Sequence, residues 1–293
     1  MPKITCFGEV LWDVFPTYKK IGGAPLNVAL RLDALGIDTQ MISRIGNDEK
    51  GRELLHYINE NELSTNGIQI DNKFKTGVVN VSLNEKGSAS YKIEYPVAWD
   101  KIKLTNSNID IVSSSDAFIF GSLACRDKVT RKTLIDLLQY ANYKVFDVNL
   151  RSPHYTMDLL MSLMEKANFI KCNDDELDEI CNHLEFRSET VGEKILFLSE
   201  RTNTKHICVT KGEYGAILFF NDQFFNNKGY PAKVVDTVGA GDSFLASLIS
   251  NLLEKKDPNE ALNFACAVGS LVASREGANP KLLQSEILDL LQD

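Results

Sequence analysis

The chain has 293 residues, 44% hydrophobic and 25% charged, enough apolar material to bury a large core. A formal net charge of −8 argues against a nucleic-acid or anionic-membrane surface, so any anion site must be local. No stretch approaches the roughly 18 apolar residues of a membrane span, and the start, Met1-Pro-Lys-Ile-Thr-Cys-Phe-Gly-Glu9, lacks the apolar core of a signal peptide, so a cytoplasmic protein is expected.

In chain order, apolar runs at 4–8, 41–45, 117–120, 145–148, 169–172 and 207–210 read as strands with helical patterns between them. That alternation predicts an α/β fold, a three-layer sandwich around a largely parallel sheet. Residues 77–95 break the rhythm. Val79, Val81 and Leu83 alternate with Asn80, Ser82 and Asn84; past Gly87, Ala89, Tyr91, Ile93 and Tyr95 alternate with Ser90, Lys92 and Glu94. The pattern predicts a hairpin with one apolar face, either an ordinary edge hairpin or a sheet covering a site. Further on, Phe244, Leu245, Leu248, Ile249, Leu252 and Leu253 recur at steps of three and four, a helix with one core-facing stripe. A second helix opens at Asp257-Pro-Asn-Glu260, an acidic cap with proline at the first helical position, passes Asn263 and Cys266, and is stopped by Gly277. No internal repeat or Pro/Ser-rich linker divides the chain, and one domain over 1–293 is expected. Cys6, Cys125, Cys172, Cys181, Cys208 and Cys266 contain no C-x-x-C pair and read as buried free thiols. His56, His154, His183 and His206 form no ligand-spaced pair, so none is assigned to a metal.

The clearest chemistry lies in Asp236-Thr-Val-Gly-Ala-Gly-Asp242, a glycine-rich turn opening the first of those helices. The N–H groups of Gly239, Ala240 and Gly241 can converge on negative charge at the positive end of the helix dipole, and glycine lets a phosphate approach closely. A carboxylate repels a bound phosphate. Asp242 is therefore easier to explain as acceptor of the proton of an attacking hydroxyl than as a binding group. Taken alone, the heptapeptide fits a plain helix cap equally well.

It resembles the C-terminal signature of the ribokinase-like (PfkB) carbohydrate kinases, in which the last Asp is the catalytic base. Upstream, Gly22-Gly23-Ala-Pro-Leu-Asn27-Val-Ala-Leu-Arg-Leu-Asp-Ala-Leu-Gly36, then Arg44-Ile-Gly46-Asn-Asp48-Glu-Lys-Gly51, resembles the family's N-terminal signature. The likeness in layout runs from 4 to 277. It implies a ribokinase-like fold, a β-sheet lid from about 12–20 and 75–100, and transfer of the γ-phosphate of ATP to a sugar hydroxyl with Mg²⁺.

Residue by residue, the resemblance makes Asp242 the base and Gly239, Ala240 and Gly241 the anion hole. Asp13, Gly22, Gly23 and Asn27 resemble the sugar-holding set. Asp13 follows the first apolar run, where open α/β sheets place ligands; a carboxylate accepts two hydroxyls, the glycines bring backbone close, and the Asn amide donates and accepts. A surface Asp, a glycine turn and a capping Asn are the plain alternatives. Asp147-Val-Asn149-Leu-Arg151 ends a strand with polar groups on alternating positions and resembles the Asp-x-Asn-x-Arg of fructokinases and ketodeoxygluconate kinases. Arg151 would then meet substrate or the transferring phosphate, or else close a scaffold salt bridge. Lys171-Cys-Asn173-Asp-Asp-Glu176 resembles the Asn-x-x-Glu motif in which Asn173 and Glu176 arrange magnesium and its waters, against the alternative of an acidic first helical turn. Thr210-Lys211-Gly212-Glu-Tyr-Gly215 is similar to the nucleotide-contacting turn, with Asn263 and Cys266 on a second wall and Lys211 a candidate phosphate contact. Potassium held near Asp236, Val238 and Gly277 is a further implication.

Gly-Gly-Ala-Pro-x-Asn-Val-Ala, Phe120-Gly-Ser-Leu-Ala124 and Tyr95-Pro-Val-Ala-Trp99-Asp look like bacterial fructokinases. They imply D-fructose as substrate and fructose 6-phosphate as product, with ribokinase or 2-keto-3-deoxygluconate kinase activity as the alternative. A non-catalytic sugar sensor would be expected to lose Asp242 or its anion hole, and both are present. A nicotinamide dehydrogenase would need a third glycine where Phe244 stands, and no P-loop motif occurs. An apolar lid face also raises pairing with a twin, a homodimer through the lid.

Overall fold

The structure is a computed structural model that describes residues 1–83 and 89–292. Asn84 and Gly87 of the expected hairpin, and the side chains of Leu83, Ala89, Ser90 and Tyr91, lie outside the described residues. The chain runs through β1 (Lys3–Phe7), β2 (Leu11–Val14), β3 (Lys19–Gly22), α1 (Ala24–Ala34), β4 (Asp38–Gly46), α2 (Glu49–Glu60), β5 (Ile68–Asp71), β6 (Gly77–Leu83) and β7 (Ala89–Ile93). There follow α3 (Asn106–Ser113), β8 (Ala117–Gly121), α4 (Lys128–Leu137), β9 (Lys144–Asp147), α5 (Met157–Met164), β10 (Phe169–Asn173), α6 (Asp174–His183) and α7 (Val191–Thr202). The last elements are β11 (His206–Thr210), β12 (Ala216–Phe220), β13 (Gln223–Asn227), α8 (Ala240–Leu253), α9 (Pro258–Ala273) and α10 (Gln284–Gln292).

Nine strands form the main sheet in the order β13-β12-β11-β10-β9-β8-β1-β4-β5. From β11 to β5 every neighbour is parallel, and β12 and β13 add an antiparallel edge. The six expected runs are its centre: β1, β4, β8, β9, β10 and β11. Buried on both faces, they read as near-continuous apolar segments, and successive residues go to opposite sides. Val145 and Phe169 enter the core shared with α1, α2, α8 and α9; Phe146 and Ile170 enter the one shared with α3 to α7. The three-layer α/β sandwich is thus observed. From β1 the chain moves outward through β4 to β5, then returns to β8 and proceeds the other way, so the order reverses beside β1. Ligands in open α/β sheets gather at the carboxyl ends of strands at such a reversal.

A separate small sheet has the order β3-β2-β6-β7, with the expected hairpin as β6 and β7. Alternation divides its two faces. Trp12 and Val78 join the main core, and the Trp12 indole N–H donates to the Lys50 carbonyl at 3.0 Å. Leu11, Val79 and Val81 cluster with Phe15 and Ile93. Asp13, expected at the end of a main-sheet strand, instead stands on β2, opposite Lys20 and Val79. Gly8, at φ +147°, turns the chain out of the main sheet before β2 begins, a conformation that a Cβ disfavours.

The Tyr95-to-Asp100 stretch leaves β7 and is pinned to the turn after β8. Arg126 lies 3.9 Å over the buried Trp99 ring and its Nε is 2.7 Å from Asp100 Oδ1. Removing one member of such a buried pair leaves a charge uncompensated. Arg126→Met should therefore lower the unfolding free energy by about 3–5 kcal/mol in urea titration, whereas Lys132→Met, from an exposed pair, should leave it nearly unchanged.

Candidate active site

Parallel strands deliver their carboxyl ends to one rim, where a cavity of about 1560 Å³ opens between the main sheet, the small sheet and the start of α8. This exceeds the roughly 300–1,000 Å³ of a pocket for one small ligand, leaving room for two substrates. Sheet order lays out its contents. Thr210 ends β11 with Gly212 and Gly215 after it, Asn173 ends β10, Arg151 follows β9 and Glu9 follows β1; Asp13, Gly23, Asn27, Cys266 and residues 238–242 also line the cavity.

The opening of α8 is built as expected. Gly239 caps it at φ +77°, and a Cβ there would stand 2.3 Å from the Ala278 carbonyl oxygen, so both conformation and packing demand glycine. Ser243 N–H is the first to find a helical acceptor, Gly239 O at 2.8 Å, which leaves the earlier N–H groups of the turn without one. One departs from expectation: Ala240 N–H reaches back to Thr237 O at 3.3 Å, whereas Gly239, Gly241 and Asp242 keep their N–H groups without a protein acceptor among the described residues.

Asp242 sits in the first turn, and Asn27 Nδ2 donates to its Oδ2 at 2.8 Å. Asn279 Nδ2 in turn donates to Asn27 Oδ1 at 3.1 Å, so the Asn27 amide is engaged at both ends. One turn along α1, Arg31 Nε donates to Ser243 Oγ at 3.1 Å, locking α1 against α8. Burial pushes the Asp242 carboxyl up, and the Asp147 charge adds to this; the Asn27 hydrogen bond, Lys171 and Arg151 oppose them, for a pKa of about 6. Asp13 is likewise raised to about 6 by burial, with Arg151 and Lys20 opposing.

Other candidates stand differently from their expected places. Strand β9 stops at Asp147, and Asn149 adopts a left-handed φ of +39°, so Asp147, Asn149 and Arg151 do not alternate along a strand. Asp147 is buried, while Asn149 and Arg151 reach the cavity from the loop. Glu176 is not on the cavity wall. It forms a capping box with Asn173: Glu176 N–H donates to Asn173 Oδ1 at 2.8 Å and Asn173 N–H to Glu176 Oε2 at 2.9 Å. Its Oε1 accepts from Leu150 N–H at 2.7 Å, so both oxygens are occupied by backbone. Asn263 faces β13 instead of the cavity, its Oδ1 accepting from Asn227 Nδ2 at 2.8 Å, and Lys211 is off the wall too. Gly22 is also off the wall; a Cβ there would stand 2.5 Å from Asp13 Oδ2 and displace that carboxylate. Asp236 braces its loop: Oδ1 accepts from Val238 N–H at 3.0 Å and Oδ2 from Gly277 N–H at 3.1 Å, and of these three only Val238 is on the wall.

Two buried ionisable residues of the wall, Lys171 and Glu9, carried no assigned role in the sequence reading. Lys171, in the middle of a buried strand, was signalled by its type alone, since lysine is rarely buried unpaired. Its Nζ donates to Asp147 Oδ1 at 3.0 Å. Glu9, 4% exposed directly after β1, has a carboxyl that burial pushes up to about 7, against its own N–H, Arg151 and Arg126. Among the described residues no group of three or more His, Cys, Asp or Glu could hold a metal, and no helix is long and apolar enough to cross a membrane.

A cavity at the reversal of a parallel sheet, a helix N-terminus offering free N–H groups and a held carboxylate beside them define a three-layer α/β phosphotransferase. The chain belongs to the pfkB family of carbohydrate kinases, whose model matches residues 2–285. It is an ATP-dependent sugar phosphotransferase. It is similar to fructokinase from Solanum tuberosum, 28% identical over 314 aligned positions that cover 99% of this chain and 95% of that protein. Among solved structures it is similar to an uncharacterized sugar kinase from Pyrococcus horikoshii in complex with ATP, with 26% identity, a TM-score of 0.83 and coverage of 98% of this chain and 99% of that one. A Vibrio cholerae fructokinase double mutant with fructose, ADP and potassium bound shares the fold, at 22% identity, a TM-score of 0.85 and coverage of 99% and 98%.

Because the Asn27 amide lowers the Asp242 pKa, Asn27→Leu should raise it above about 6. A carboxylate ¹³C NMR titration, with Asp242→Asn to assign the signal, reads the change directly.

Proposed function

We propose that this protein phosphorylates D-fructose to fructose 6-phosphate, with Asp242 as general base and the start of α8 as anion hole. The observation that carries the reading is the meeting in one cavity of Asp242, held by Asn27, with the N–H groups of Gly241 and Asp242 and with the Asp13 carboxylate. Curated relatives named fructokinase favour the ketose, and the Vibrio neighbour binds fructose and ADP.

In this mechanism Asp13 and the backbone around Gly22 and Gly23 hold the sugar hydroxyls, while Thr210, Gly212, Gly215 and Cys266 receive the nucleotide. Asp242 accepts the hydroxyl proton, the sugar oxygen forms its bond to the γ-phosphorus, and the bond from that phosphorus to the bridging oxygen breaks, leaving its electron pair on ADP. Free N–H groups at the start of α8 and the Arg151 guanidinium take up charge on the transferring group. Magnesium, when bound, neutralises phosphate charge. The carboxylates Asp147, Glu176 and Asp242 outnumber Lys171 and Arg151, which fits a cation there, and with no cage among the described residues it would be held largely by phosphates and waters next to Asn173. Glu176, its oxygens occupied, would act by fixing Asn173. The small sheet would serve as a lid, since Leu11, Asp13, Val79, Lys92 and Ile93 face the cavity from it. Six buried free cysteines fit a reducing, cytoplasmic setting.

Lys92, Arg151 and His154 on the wall favour a second reading, an acidic sugar such as 2-keto-3-deoxygluconate. ADP release across fructose, ribose, 2-keto-3-deoxygluconate and adenosine separates the two; a best substrate other than fructose ends the first. Asp242→Asn should lower kcat by about 10²–10⁴-fold, the range for loss of a general base. Since the ionised carboxylates of Asp242 and Asp13 are the active forms and both titrate at about 6, kcat/KM should fall by between about tenfold and a hundredfold per pH unit below about 6 and level off above it. We also propose that the loops joined by Asp236 and Gly277 form a potassium site. Equal rates in sodium and potassium buffers would remove it.

A further inference from the structure

Lys171 is 7% exposed, in β10 between Ile170 and Cys172. Strand alternation sends it, like Phe169, to the face covered by α8, and puts Asp147 opposite it on β9. A scaffold ion pair has no need to border a ligand cavity. This ammonium forms part of the wall and lies 3.5 Å from the position a Cβ on Gly241 would take, against the first turn of α8. Asp147 accepts one hydrogen bond from it, and an ammonium has three to give.

We propose that Lys171 is a further catalytic residue, whose ammonium contacts the transferring phosphoryl group and offsets the charge gathering there, with Asp147 positioning it. The inference rests on the phosphotransfer reading above. A phosphoryl group on the N–H groups of Gly241 and Asp242 comes within reach of Nζ without any movement of the strand, and such a fixed cation in a low-dielectric site stabilises the transition state without reorganising. Burial disfavours the ammonium, but Asp147, Glu176 and Asp242 together hold its pKa above the ordinary lysine value, so it stays charged. The ammonium also acts on the base. Asp242 feels Asp147 as a charge that raises its pKa and Lys171 and Arg151 as charges that lower it, while Cys6 on β1 and Glu9 just beyond it sense Asp242.

Three proteins test this: the parent, Lys171→Met, and Lys171→Met combined with Asp147→Asn, which leaves no unpaired charge. Lys171→Met should lower kcat by about 10²–10³-fold, as for loss of one preorganised donor, with a smaller change in the KM for ATP. Its kcat/KM should begin to fall at a higher pH than the parent's, because Asp147 then acts on Asp242 without an offset. The double variant should regain the parent's thermal midpoint and pH profile yet stay at least about tenfold slow in kcat, because the phosphoryl contact is still missing. A double variant with the parent's kcat would make Lys171 a mere partner of Asp147 and overturn the proposal. If Lys171→Met fails to fold, the double variant alone decides. A parent that releases ADP with no sugar of the panel would instead sink the phosphotransfer reading, a result recognisable before any variant is made.

Discussion

A base working beside a polyphosphate must remain ionisable in surroundings that repel its charge. On the mechanism proposed above that constraint falls on Asp242, and its neighbours divide into groups that make ionisation harder and groups that make it possible. Burial and Asp147 push its pKa up; the Asn27 amide, Lys171 and Arg151 pull it back, and the balance rests near 6. A base poised there is ionised at neutral pH yet basic enough to take a proton in the transition state. Shift the balance either way and the site loses ionised base or driving force.

Backbone periodicity sets the part of that balance that comes from Asp147 and Lys171. Because residues on a strand alternate between faces, Asp147 and Lys171, register partners on β9 and β10, must emerge on the same side, the one α8 covers. Parallel pairing sets Lys171, in the middle of β10, beside Asp147 at the carboxyl end of β9, where the first turn of α8 arrives. Packing of α1 on α8 supplies the remaining constraint. The Arg31–Ser243 hydrogen bond fixes the helices against each other, and the Asn27–Asp242 bond, a turn earlier, follows from the same fit.

The parallel centre of the sheet was legible because strands buried on both faces leave unbroken apolar runs, and the helix after Asp242 because its stripe is clean. Edge elements were harder. β13 exposes Gln223 and Phe224 in turn, and β5 is only four residues long, so neither leaves a signal that beats a loop. For the site, the turn before Asp242 was readable locally as a helix start, but an acid there fits a cap equally well, and only the likeness to the family signature favoured a base. Local order put Asp13 just after a main-sheet strand, and only the resemblance put 12–20 in the small sheet, because nothing local shows that Gly8 turns the chain out of the main sheet. Asn149 misled for a similar reason: alternation along a sequence is informative only while the backbone stays extended, and it leaves that state at Asn149. Lys171 needed the register between strands, which no single segment carries.

Glu176 shows how a residue off the wall can still govern it. One oxygen holds the N–H of Asn173, where β10 passes into α6, and the other holds the N–H of Leu150, in the loop carrying Arg151. A single buried carboxylate thus joins the cavity wall after β9 to the wall after β10. Its pKa is raised by burial and by Asp147, with Lys171 and both backbone donors opposing. The joint between the two loops therefore draws on the same ammonium that offsets Asp147 beside the base. The loop holding Arg151, the end of β10 and the ionisation of Asp242 consequently share one source of positive charge, and a change at Lys171 must be felt at all three.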